Sequence, residues 1–205
     1  MTDCFALLDE PRRPWLDVDA LKAKFLARSA EVHPDRVHGA PAAERIAAQE
    51  RYTALNAAFT TLREPKDRLQ HLLELELGAK PGGLQSTPPE LTDLFFEVGR
   101  LCRDMDFFLL EKGRANSPLL KVKMFQRAMD WTTQINALQL RLNAKRGELE
   151  AELQAMNSVW VTAPAQPEAR RAALPLPRLE QLYRTISFLS RWTAQLQERV
   201  VQLAF

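Results

Sequence analysis

Glycine is scarce in this 205-residue sequence, with 7 in all, and cysteine is scarcer, with 2. So little glycine leaves no glycine-rich loop that could bring backbone amides up to a phosphate. Cys4 and Cys102 stand alone, without a CxxC pair, which argues against a zinc site or a disulfide framework and fits a reducing compartment. The three histidines, His33, His38 and His71, are not at metal-ligand spacing with one another or with a cysteine. No serine or cysteine nucleophile motif occurs either. These absences set aside an enzyme of its own and leave no cofactor or metal to expect.

Long apolar runs are missing too, and the opening MTDCFALLDEP has no basic stretch before an apolar core. The reading is therefore a cytoplasmic protein with no membrane partner. Net charge is only +2. Residues 1–77 hold 11 Lys and Arg against 13 Asp and Glu, and the remainder 17 against 13. Nothing in that mild asymmetry calls for nucleic acid.

What the sequence has in plenty is Ala, Leu, Glu, Arg and Gln, all good helix formers, and no segment alternates apolar and polar residues for long. An all-α fold follows. A short helix over Asp3–Leu8 is stopped by Pro11 and Pro14. From Asp17, an N-cap type, Leu21, Phe25, Ser29 and Val32 recur on one helical face until Pro34 ends the segment. Beyond a polar loop, Ala48, Tyr52, Leu55, Phe59 and Leu62 mark a second helix over 42–62, matched in length for an antiparallel hairpin. Pro65 opens another, with Leu69, Leu72 and Leu73 on its apolar side.

Residues 78–89, GAKPGGLQSTPP, read as a linker. After it, three stripes run through Leu91 to Phe108, Met124 to Leu149 and Leu179 to Leu203. They predict a C-terminal three-helix bundle over 90–205, with the Pro- and Ala-rich stretch 156–177 as an exposed loop. Sustained heptads would equally suit a coiled-coil module for oligomerisation.

The segment EVHPDR, with His33-Pro34-Asp35 between two helices, resembles the J-domain. Its flanks narrow the likeness to the HscB family: CFALLDEP before the first long helix, then Thr61-Leu62-Arg63, Pro65, Arg68 and Leu72-Leu73, and RTISFLSRW near the end. The resemblance implies an N-terminal J-domain over 1–77 that stimulates a DnaK/HscA-type chaperone ATPase. It also implies a C-terminal domain that carries an iron–sulfur cluster scaffold protein of the IscU type. Pro34 should make a rigid corner that presents His33 and Asp35, the latter able to accept charge-assisted hydrogen bonds from an arginine on the partner. Lys22, Lys24, Arg28 and Arg36 supply positive charge for steering. A plain solvated helix end is the competing reading of the tripeptide.

By position, Phe95, Phe96, Glu97 and Phe188 match the family's client-binding residues. Phe95 falls on the core stripe and is as well placed for packing as for binding. Phe96 lies off the stripe, which favours exposure, and Phe188 sits one place off its own, where either outcome is open. Phe96 and Phe188 are expected side by side in an exposed patch, with Phe95 at its edge. One and two turns further on, where the family tends to place carboxylates, stand Arg100 and Arg103, with Gly99 in an apolar slot. A different client, or a partner surface changed to match, is the alternative to a conventional scaffold.

Overall fold

The computed structural model describes residues 2–82 and 86–204, and every regular element among them is helical. They are α1 (Cys4–Leu7), α2 (Val18–Glu31), α3 (Ala42–Arg63), α4 (Pro65–Leu77), α5 (Thr92–Gly113), α6 (Pro118–Thr162), α7 (Pro167–Ala173) and α8 (Leu176–Ala204). The chain divides into two compact units. Met1–Gly82 with Glu150–Tyr183 form one, and Gly83–Leu149 with Arg184–Phe205 form the other. Residues 83–85 of the expected linker lie outside the described residues.

In the first unit the polar residues named from the sequence set the helix ends. Asp3 Oδ1 accepts from the amides of Phe5 and Ala6, and Asp17 Oδ1 from those of Asp19 and Ala20, so two orphan amides of each first turn are satisfied. Helices α2 and α3 are antiparallel: Phe25 stacks on Phe59 at 4.4 Å near one end, and His33 meets Tyr52 at 5.2 Å near the other. Leu21, Leu55 and Leu62 are buried between them and the N-terminal Phe5, Leu8 and Leu16. Helix α4 adds Leu69, Leu72 and Leu73 and ends on Gly78, whose φ of 75° is the left-handed value that glycine adopts without strain.

Two polar side chains of α4 are buried with partners. The Arg68 guanidinium donates to the carbonyls of Pro14 at 2.9 Å and Leu62 at 2.8 Å, tying the N-terminal segment to the end of α3. Burial pulls its pKa down to about 10, which still leaves it charged at neutral pH. His71 Nε2 accepts from the Cys4 amide at 3.0 Å, and its ring stacks on Phe5. Burial lowers the His71 pKa below its ordinary value of 6.5. With the folded value below the unfolded one, the unfolded chain binds more protons between the two, so stability falls as pH drops below about 6.5. Protonating Nε2 would also break the bond to Cys4. Thermal melting between neutral and mildly acid pH should show this loss, and His71→Gln, which keeps an acceptor, should flatten the slope.

The expected loop over 156–177 is mostly helical. Helix α6 runs on to Thr162, α7 fills 167–173, and α8 begins at Leu176. The prolines there start helices rather than prevent them: Pro167 and Pro177 sit in first turns, where the missing amide costs nothing. Glu150–Tyr183 group with residues 1–82. Asn157 Nδ2 donates to the Trp15 carbonyl at 2.9 Å, and its Oδ1 accepts from the Trp15 amide at 3.0 Å. Trp160 is buried, and Glu76, itself buried, takes a two-pronged ion pair from Arg170.

The second unit keeps the expected stripes. Val98, Met105 and Phe108 of α5, Ile135, Leu138 and Leu142 of α6, and Ile186, Leu189 and Leu196 of α8 are buried. Among the described residues no helix is long and apolar enough to cross a membrane.

Candidate functional site

Helix α2 stops because Pro34 lacks the amide needed for a further turn. The Val32 amide donates to the Arg28 carbonyl, and Pro34–Val37 then tighten into a single 3-10 turn closed by Arg36 N donating to His33 O at 3.0 Å. His33 caps that turn: its Nδ1 accepts from the Asp35 amide at 3.3 Å. A ring nitrogen that accepts carries no hydrogen, so the neutral imidazole holds its proton on Nε2, away from the turn. The ring packs edge-on against Tyr52 of α3, at an interplanar angle of 75°. Asp35 is 90% exposed, with Oδ2 at 3.4 Å from His33 Nδ1, an ion pair only when the imidazole is protonated. His38 Nδ1 lies 3.0 Å from the Asp35 carbonyl and steadies the far side of the turn. A half-exposed imidazole and a solvated carboxylate are thus held on a short, braced corner.

The four cations divide into two pairs. Lys24 Nζ lies 2.7 Å from the buried Glu10 carboxylate and donates to the Asp9 carbonyl. Arg28 reaches Asp9 Oδ2 at 3.6 Å. Asp9 adopts a left-handed φ of 56°, a conformation that Asp tolerates better than most residues. Lys24 and Arg28 are therefore largely neutralised within the chain, and their far field is weakened. Lys22 and Arg36 are exposed, and the Arg36 guanidinium makes one long contact, 3.4 Å, to the Ala30 carbonyl.

On α5, Phe96 is 67% exposed and Phe95 43%, the two rings meeting edge-on at 5.5 Å. Phe188 is only 8% exposed and packs on Trp192 at 5.7 Å. Phe188 therefore does not stand in the exposed patch expected from the sequence. Trp192 bridges instead, lying 6.3 Å from Phe95 and next to Phe188, so the core phenylalanine supports the surface one at second hand. Both Glu97 carboxylate oxygens accept from Arg141 of α6, which occupies that acid within the unit. Arg100 and Arg103 are exposed on the turns that follow. The resulting face is apolar at one end and carries Arg100 and Arg103 further along, with the exposed Asp104 among them.

The chain is 41% identical over 73 residues to the co-chaperone protein HscB homolog of Azoarcus sp. (strain BH72), a stretch covering 36% of this chain and 41% of that relative. To the HscB homolog of Aromatoleum aromaticum it is 40% identical, again over 73 residues. The match thus spans about two fifths of these curated relatives' length. Over that stretch the chain resembles the HscB co-chaperones. The HscB fold extends well beyond that stretch. Chaperone HscB from Vibrio cholerae superposes with a TM-score of 0.57 at 20% identity, covering 98% of this chain and 99% of that one. The crystal structure of human HscB gives 0.61 at 16% identity, covering 98% of this chain and 81% of the human one. No family model matches the chain.

Three residues of the chain shape the two regions without having been picked out as site residues. Tyr52, read as core stripe, holds the His33 ring. Arg141 takes up Glu97. Trp192 stands four residues after Phe188, one helical turn on, a spacing that was there to be read.

Proposed function

We propose that this chain stimulates the ATPase of a DnaK/HscA-type chaperone through the turn around His33, Pro34 and Asp35, and hands it a client held on the face of Phe95 and Phe96. The observation that carries the first half is the Asp35 carboxylate, solvated on a braced corner and able to take a bidentate arginine. Lys22 and Arg36 supply the unneutralised charge beside it, while Lys24 and Arg28 act mainly by fastening α2 to Glu10 and Asp9. The partner performs the hydrolysis. Tethering the two functions on one chain raises their effective concentration and lets weak contacts suffice.

Family resemblance supports an iron–sulfur scaffold of the IscU type as client. The charge of the face favours one whose docking surface carries carboxylates, since Glu97 is occupied by Arg141 and the next two turns present Arg100 and Arg103. Calorimetry of the full chain with an IscU-type scaffold tests this. Phe96→Ala should weaken binding by about tenfold or more, as for a partly exposed aromatic anchor, with the melting temperature nearly unchanged. Phe188→Ala removes a buried ring and should cost about 3–5 kcal/mol of stability. Arg100→Glu with Arg103→Glu reads the sign of the partner. Tighter binding would identify a conventional basic scaffold face, and weaker binding an acidic one. Unaltered affinity at low salt would remove this helix from the interface.

A further inference from the structure

A second docking surface lies at the far end of the same unit, where the end of α5, the start of α6 and the end of α8 come together. An open groove of about 580 Å³ is floored by the buried Met124 and Leu203 and bordered by Phe125, Met129 and Val200, with Lys112 and Lys121 among its lining residues. Phe125 is 67% exposed and Met129 56%. Phe107 and Leu110 near the end of α5, and Leu119 and Val122 at the start of α6, are also more than half exposed.

Charge at this tip is mainly positive, with the exposed Asp130 and Glu198 near the groove residues Met129 and Val200 as the open acids. Residues 107–129 contain five Lys and Arg and one acid, Glu111, which is already paired with Arg127 at 2.7 Å. Asp106, just outside the stretch, is taken by Arg199 at 3.0 Å. Lys112 spends its ammonium on the Gln202 and Leu203 carbonyls, capping α8. Lys121, Lys123 and Arg114 are exposed and have no carboxylate partner among the described residues.

We infer that this groove takes an acidic amphipathic helix of a partner protein, its apolar stripe seated on Phe125 and Met129 and its carboxylates against Lys121 on the groove's edge. Concavity argues for a helix, since helix-in-groove recognition needs a trough with adaptable walls, and two methionines provide them. A lipid surface would be met instead by a convex apolar ridge. A second copy docking tip to tip would set two net-positive surfaces against each other, which is costly. The site is separate from the Phe95–Phe96 face, and its test involves neither ATPase nor scaffold, so each reading can fail without the other.

The probe is a fluorescein-labelled synthetic helix with leucines at i, i+3, i+4 and i+7 and glutamates elsewhere, titrated with the full-length chain and followed by anisotropy. Saturable binding is expected, weakened about tenfold or more by Phe125→Ala with Met129→Ala, and clearly weakened by Lys121→Glu. All three side chains are exposed, so circular dichroism should show intact folding, and Leu140→Ala, an exposed apolar change elsewhere on α6, should leave binding as it was. A lysine-substituted version of the probe should not bind. Equal binding of that version, indifference to the groove variants, or release of the probe by Phe96→Ala would each overturn the inference. So would capture of the chain by equal-part phosphatidylglycerol–phosphatidylcholine vesicles in place of the peptide, or a dimer that the same groove variants dissolve.

Discussion

Replacing His33 by Gln should reduce stimulation of a DnaK/HscA-type ATPase to the unstimulated rate while leaving the melting temperature nearly unchanged. The imidazole is half-exposed, and among the described residues its hydrogen bond to protein is the long contact from the Asp35 amide. A glutamine oxygen can accept from the same amide, so the turn should survive. Loss of the edge contact with Tyr52 and of the outward Nε2–H is a surface change, which usually shifts stability by only about ±0.5 kcal/mol. An interface contact desolvated against a partner has far more to lose than a solvated one. Steady-state hydrolysis with purified chaperone, run beside thermal melting of the variant, separates the outcomes. Full stimulation by the variant would remove this turn from the interface. A variant that unfolded would make His33 a structural residue of the α2 terminus.

Arg170→Ala should be strongly destabilising for a change outside the apolar core. Its guanidinium donates to both oxygens of Glu76 at 2.9 to 3.1 Å, and the Glu76 side chain is only 3% exposed. Removing the arginine breaks a buried ion pair, a loss of about 3–5 kcal/mol at most, since the Arg171 guanidinium, bonded to the Glu76 carbonyl at 2.6 Å, stays nearby. For a chain of this size that corresponds to a melting temperature lower by on the order of 10 °C. Glu76→Leu with Arg170→Leu should recover most of it, because an apolar pair of similar volume has no desolvation to offset. If the single variant melted like the parent, the 167–173 helix would not be held by this pair. If the double variant were no better than the single, the loss would come from packing by the arginine stem rather than from charge.

How much of this was legible beforehand differs from element to element. The stripe Leu21, Phe25, Ser29 and Val32 is a local property of a helix with 3.6 residues per turn, so period alone located α2 and its inner face. Pro34 could be read as a stop for the same reason: the missing amide acts wherever proline stands. The bundle stripes were equally readable, and so was the exposure of Phe96, which lies off its stripe.

Stretch 156–177 was misjudged because proline and alanine content says nothing about a distant partner. Its order depends on Asn157 meeting Trp15, 142 residues away, and on Arg170 meeting Glu76, 94 residues away. Phe188 looked like a surface candidate until Trp192 and its neighbours closed over it. Charge was misjudged for a related reason. Lys24 and Glu97 read as available groups in one dimension, yet each is taken up by a residue that only the fold brings near, Glu10 for the lysine and Arg141 for the acid. The sequence by itself therefore determined the helices, their apolar faces and the proline-cornered turn, all set by interactions within a few residues. Tertiary structure alone decided which side chains remain open to a partner, because burial and ion pairing depend on neighbours that the chain supplies from far along its length.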